Sequence, residues 1–178
     1  MTIGLEFANA MDQFRLPAPL LIALDNRSLH FAMQPWQFLI RAVHVLAVCV
    51  FFGMITVLDL RLLGRSRELP LHALAQLVLP WVYVSLAVAM VTGVALFFYD
   101  PLAVGSHDWL TPKLLFIALG FLNAAWFNAA YLPKQLVSAT GLTAAGKVAA
   151  AASILLWGLA ILCACLNAEP PPRLLLNS

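Results

Sequence analysis

Charged side chains are scarce in this sequence. Only 10% of its 178 residues are Asp, Glu, Lys or Arg, where a soluble domain carries about a quarter, so the chain cannot cover a water-facing globular surface. The net charge of +2 is small, and no stretch combines clustered Lys and Arg with interleaved aromatics, which sets nucleic acid aside as a partner. Cysteine is limited to Cys49, Cys163 and Cys165, an odd number inside apolar runs, and that does not describe a disulfide framework. These thiols read as small buried hydrophobes. Cys163 and Cys165 point about 200° apart on a helix, which makes a poor chelate. Catalytic signatures are lacking as well. There is no Gly-rich phosphate loop, no His-Glu-x-x-His and no Cys-x-x-Cys, and neither a Ser/His/Asp arrangement nor paired carboxylates within an apolar run.

What the sequence has in abundance is apolar length. It is 63% hydrophobic, with a mean hydropathy of +0.92. Four runs are long enough, at about 1.5 Å per helical residue, to cross a hydrocarbon core of about 30 Å. The expected fold is all-α: a polytopic membrane four-helix bundle in contact with the lipid bilayer, preceded by a short interfacial N-terminal helix. The N-terminal segment covers residues 1–34, the transmembrane domain 35–167, with spans at 36–63, 78–99, 112–132 and 143–166, and the tail 168–178.

Local signals place the boundaries. In the N-terminal segment Pro17 and Pro19 break any long helix, 20–24 is too short to span, and Asp25 or Asn26 can cap a short helix over SLHFAMQ. A basic start and a small-residue cleavage site are both missing, so no removable signal peptide is expected. Pro35 suits the first turn of the first span and Gly64 its C-terminal stop. Pro80 either kinks a helix begun near residue 71 or marks the start of the second span. Thr111 reads as the cap of the third span, with Pro112 as its first residue. The stripe Gly146, Ala150, Ser153 on the fourth permits close helix approach, within the bundle or against a second copy.

Lys and Arg set the orientation. The short links 61–72 and 133–147 hold Arg61, Arg65, Arg67, Lys134 and Lys147, whereas Arg15, Arg27, Lys113 and Arg173 are spread over longer segments on the other side. The positive-inside rule makes those links cytoplasmic and puts both termini on the opposite side of the membrane, in a multi-pass protein.

Ionisable groups inside a span mark candidate sites. His44 lies about 13 Å from the outer end of the first span, and Arg41, three positions earlier, shares its face. Two roles fit His44: a hydrogen bond across the bundle to Asn123, Asn128 or a carbonyl, or ligation of haem b or copper. No second histidine sits at its depth, so a haem would take one histidine or be shared across a dimer. For copper, His30 and His107, with Asp100 and Asp108, could gather with His44 at the outer surface. Asp59 reads as one end of a structural ion pair with Arg61, Arg65 or Lys147, the alternative being a proton relay. Lys113 reads as snorkelling outward or meeting Asp100 or Asp108, and Thr92-Gly93 and Asn123 as interhelical contacts.

The order of several short motifs carries a family resemblance. His44 and Gly53, DLRLLG at 59–64, LP at 69–70, LPW at 79–81, TG-x-x-LF at 92–97, LTPK at 110–113 and LN at 122–123 together resemble a domain-of-unknown-function family of small four-helix bacterial inner-membrane proteins. The likeness covers roughly 25–135. That family is loosely similar in shape to copper-resistance membrane domains and small b-type cytochromes, and this implies haem b or copper as cofactors. Arg41 departs from the pattern, in which a carboxylate or small polar residue is common, so no acid beside His44 is implied.

Two functions are therefore expected. The first is a non-catalytic accessory or structural subunit of a larger membrane complex, electron-transfer complexes included, partnered by other membrane subunits or by copies of itself. The second is a haem- or copper-binding redox protein that uses His44. A transporter is not indicated, because no internal repeat is found in the four spans.

Overall fold

A computed structural model describes residues 15–65, 68–130 and 144–168. Arg67, Lys134, Arg173, the first fourteen residues and most of the link 133–147 lie outside the described residues, as does the tail beyond 168. Seven helices are described: α1 (Ala18–Leu24), α2 (Arg27–Met33), α3 (Gln37–Leu62), α4 (Leu71–Tyr99), α5 (Pro101–Gly105), α6 (Leu110–Ala130) and α7 (Ala144–Ala168). No strand occurs among the described residues. The chain is an all-α, multi-pass membrane protein: α3, α4, α6 and α7 are all long and apolar enough to span. Even α6, with 21 residues, is about 32 Å long. Leu46, Val91, Leu122 and Leu155, one from each span, are 64–71% exposed, a surface suited to lipid rather than water.

Several helix ends depart from the sequence reading. The described part of the N-terminal segment, 15–34, forms two short helices, not one. Asn26 separates them, its Oδ1 accepting from Leu29 N–H at 3.2 Å, as a cap does. Pro35 does not open the first span. Trp36 is the cap and Gln37 the first residue, because the chain already turns through 34–36, with Trp36 N–H donating to Met33 O at 2.9 Å. Pro80 neither starts a span nor divides one: α4 runs continuously around it from Leu71 to Tyr99. Thr111 is no cap. The helix begins at Leu110, since Lys113 N–H already reaches Trp109 O at 3.1 Å, and the Trp109 N–H is satisfied by Asn167 Oδ1 on α7 at 3.2 Å. Pro112 then occupies a first-turn position where no amide proton is needed.

Gly64 ends α3 as expected. It adopts φ 100°, with Arg65 N–H donating to Leu60 O at 3.0 Å and Gly64 N–H to Arg61 O at 3.1 Å. This double closure satisfies the last carbonyls and needs a left-handed residue.

The four spans form two antiparallel hairpins. One pairs α3 with α4 and the other α6 with α7; they join where α3 packs on α7, while α4 and α6 make little contact. Trp157 of α7 anchors the junction. Its ring meets Phe51 of α3 edge-on, centroids 4.7 Å apart, and Phe121 of α6 at 5.6 Å. It lies so close over Gly120 that a Cβ there would sit 2.9 Å from two ring carbons. The stripe on α7 is buried within the chain: Gly146, Ala150 and Ser153 all face inward, with Ala150 in the core beside Phe51 and Leu58.

Gly120→Ala is therefore expected to overpack this junction and lower stability by about 1–3 kcal/mol. Gly53→Ala, where a Cβ would meet nothing within 4 Å, should be neutral or stabilise by up to about 1 kcal/mol. Thermal unfolding of both purified variants in detergent checks the contrast.

Candidate functional site

The half of the bundle that holds the N-terminal end of α3 fixes His44. Thr92, on the facing turn of α4, donates its only hydroxyl proton back to Val88 O at 2.6 Å, the usual habit of a helical threonine. Its oxygen is thereby left as an acceptor for His44 Nδ1 at 3.0 Å, which places the ring proton on Nδ1. Gly93 completes the seat. A Cβ there would lie 3.0 Å from His44 Cε1, 3.5 Å from Nδ1 and 3.9 Å from Nε2, so the ring edge carrying both nitrogens rests against α4. His44 thus crosses the bundle to Thr92, not to Asn123 or Asn128. Lys113 on α6 and Cys163 on α7 are neighbours in the same region, the lysine near enough to interact electrostatically with each.

The other residues of the expected cofactor site are not brought to His44. Arg41 is exposed and its Nη2 turns back one turn to Gln37 Oε1 at 3.4 Å; three positions along a helix leave room for a long side chain to swing away. His30 caps the end of α4, its Nδ1 donating to Tyr99 O at 2.8 Å while its ring stacks on that of Tyr99 at 4.5 Å. Asp108 pairs with Arg15, not with Lys113, and Asp100 Oδ1 caps α5 by accepting from Ala103 N–H at 2.9 Å. His107 stays in the outer loop, half-buried. Among the described residues no three His, Cys, Asp or Glu side chains gather around a common point. The donor set therefore does not fit copper, and of the two ring nitrogens of His44 it is Nδ1 that Thr92 engages.

The half of the bundle at the α3–α4 link holds a different arrangement. Asp59 is 4% exposed, and among the described residues its Oδ2 has no hydrogen-bond partner. The expected ion pair is not formed. Arg61 turns to the link, its Nε donating to Leu69 O at 2.8 Å, and Lys147 is exposed. Neither Arg61 nor Lys147 comes within ion-pair distance of Asp59. Two residues along a helix turn a side chain by about 200°, so Asp59 and Arg61 cannot share a face. Ser153 on α7, itself buried, is the polar neighbour of the carboxyl instead. Beside it lies a cavity of about 80 Å³, lined by Asp59, Ser153 and Trp157 and, from the walls, by Tyr83 of α4 and Asn123 and Asn128 of α6. Asn123 is held across the α6–α7 seam, its Nδ2 donating to Ala149 O at 3.0 Å. No sequence signal assembled this set, because its members come from four helices and share no spacing.

Comparison of the chain with protein families, with characterised proteins and with solved structures finds no match.

The His44 seat generates a coupled prediction. Thr92→Val keeps the shape but removes the acceptor, and should cost about 0.6–1.7 kcal/mol, the range for interhelical hydrogen bonds in membranes. Gly93→Ala should destabilise by crowding the imidazole, and most of that loss should vanish when His44→Ala is added. A double-mutant cycle measured by thermal unfolding should return a coupling of about 0.5–3 kcal/mol.

Proposed function

We propose that this chain is a non-catalytic integral subunit of a larger assembly in a bacterial inner membrane. The observation that carries this reading is the face between α4 and α6. Tyr83, twelve residues into the 29-residue α4, is 52% exposed, and among the described residues its hydroxyl has no hydrogen bond. Asn128 on the opposite wall is also exposed. A phenol and a side-chain amide left towards hydrocarbon are costly, and interhelical hydrogen bonding is their usual remedy. A partner helix seated between α4 and α6 supplies those bonds; the partner is another membrane subunit or a second copy of the chain. The motif order supports placing the chain beside small four-helix inner-membrane proteins, since its residues supply this fold's seams: His44 with Thr92 and Gly93, and Arg61 with Leu69.

Tagged protein drawn from its native membranes in mild detergent should migrate with an assembly larger than one chain. A photo-crosslinking residue at position 83 should capture a membrane polypeptide, and the captured mass separates a different subunit from a second copy. A lone, uncrosslinked monomer would sink the reading. Orientation has its own check: with both termini periplasmic, alkaline phosphatase fused after Ser178 should be active.

A further inference from the structure

The Asp59 cavity poses a charge problem that no cation among the described residues solves. A carboxylate taken out of water is prohibitively unstable unless a positive charge or a proton accompanies it. The described helices around it divide as follows. On α3 the nearest cation, Arg61, is turned to Leu69 O. On α4 the one titratable group facing the cavity is Tyr83, and α6 presents only the amides of Asn123 and Asn128. On α7 Ser153 lines it, while Lys147 stands six residues further along, about 9 Å down the axis, and is exposed.

The cavity is small and mostly apolar-walled, with Asp59, Tyr83, Asn123, Asn128 and Ser153 as its polar lining. Its volume of about 80 Å³ admits about five water molecules, far less than a quinone or a lipid tail needs. Its lining includes the Asp59 carboxyl, the Ser153 hydroxyl and the Asn123 amide, whose carbonyl oxygen is left as an acceptor once Nδ2 is spent on Ala149 O. Oxygen donors suit hard cations, and a single carboxylate balances one unit of charge rather than two.

We propose that this cavity is a binding site for a single positive charge, a monovalent metal cation or a proton shared with cavity water, held by Asp59 with Ser153 and Asn123. The site works within one chain and does not depend on the subunit reading above, so either can fail without the other.

The test uses the full chain purified in detergent and as a lone monomer. Equilibrium binding of radiolabelled sodium and of rubidium is measured across pH, beside infrared spectra of the same samples in H₂O and D₂O. If the charge is a metal ion, about one ion binds per chain, and Asp59→Asn weakens it about tenfold or more, as removal of a buried charge partner does. If it is a proton, no ion binds, and the spectrum shows a carboxylic-acid C=O band that shifts in D₂O and is missing from Asp59→Asn. Ser153→Ala retains the carboxyl and should weaken ion binding or move that band, which keeps the test decisive where Asp59→Asn does not fold. An Asp59 that gives neither ion binding nor the acid band overturns the proposal. So does a co-purifying polypeptide whose Lys or Arg cross-links to Asp59.

Discussion

The fold depends on side chains seated in glycine notches. Lipid tails are as apolar as leucine, so burying leucine between helices gains little inside a bilayer; close packing and hydrogen bonds have to hold the bundle together. Each tight contact in this chain brings a large side chain against a missing Cβ. Trp157 fills the space over Gly120 and joins α7 to α6, His44 fills the space over Gly93 and joins α3 to α4, and Leu21 of α1 lies directly on Gly105 of α5. Trp157 also touches Phe51, so one indole links both hairpins. With the hairpins fixed through α3 and α7, the positions of the other two spans follow.

That dependence explains what was legible in the sequence and what was not. The four spans were legible because hydrophobic length is a property of consecutive residues. Gly64 and Asn26 were legible for a similar reason: each acts on its own turn. Pro35 misleads as a start signal, because the turn through 34–36 carries the chain past it, whereas Pro80 lies inside one long helix begun at Leu71, the first of its two readings. The histidines misled for a different reason. A lone imidazole in an apolar run advertises ligand chemistry, but His44 answers to Thr92 and His30 to a helix-end carbonyl. Both partners lie dozens of residues away, and nothing in the local pattern names them.

The run DLRLLG followed by LP shows how one short segment divides its work. Leu58 and Leu62 sit in the core at 3% exposure each, Gly64 reverses the chain, and Arg61 reaches across the turn to hold Leu69 O. Asp59, between them in sequence, points the opposite way. Read in one dimension, Asp59 and Arg61 are an obvious ion pair. Read on a helix, they are on different faces, and the arginine serves the link while the carboxyl serves the interior.

The contrast between the seams and the cavity completes the physical picture. Where helices meet closely, one of each pair offers glycine or alanine: Gly93, Gly120, Ala149 and Ala150. Where α4 and α6 stand apart, both offer bulk, with Tyr83 and Leu86 on one wall and Phe121 and Phe127 on the other. Side-chain size therefore sets which sides of the bundle close and which remain apart. Asp59 lies on the floor of the side that does not close. Smaller residues on those walls would let α4 and α6 collapse together, and the carboxyl would then be sealed in apolar surroundings with no route for water or an ion. The open side is thus the condition under which a buried carboxyl at this position is tolerable.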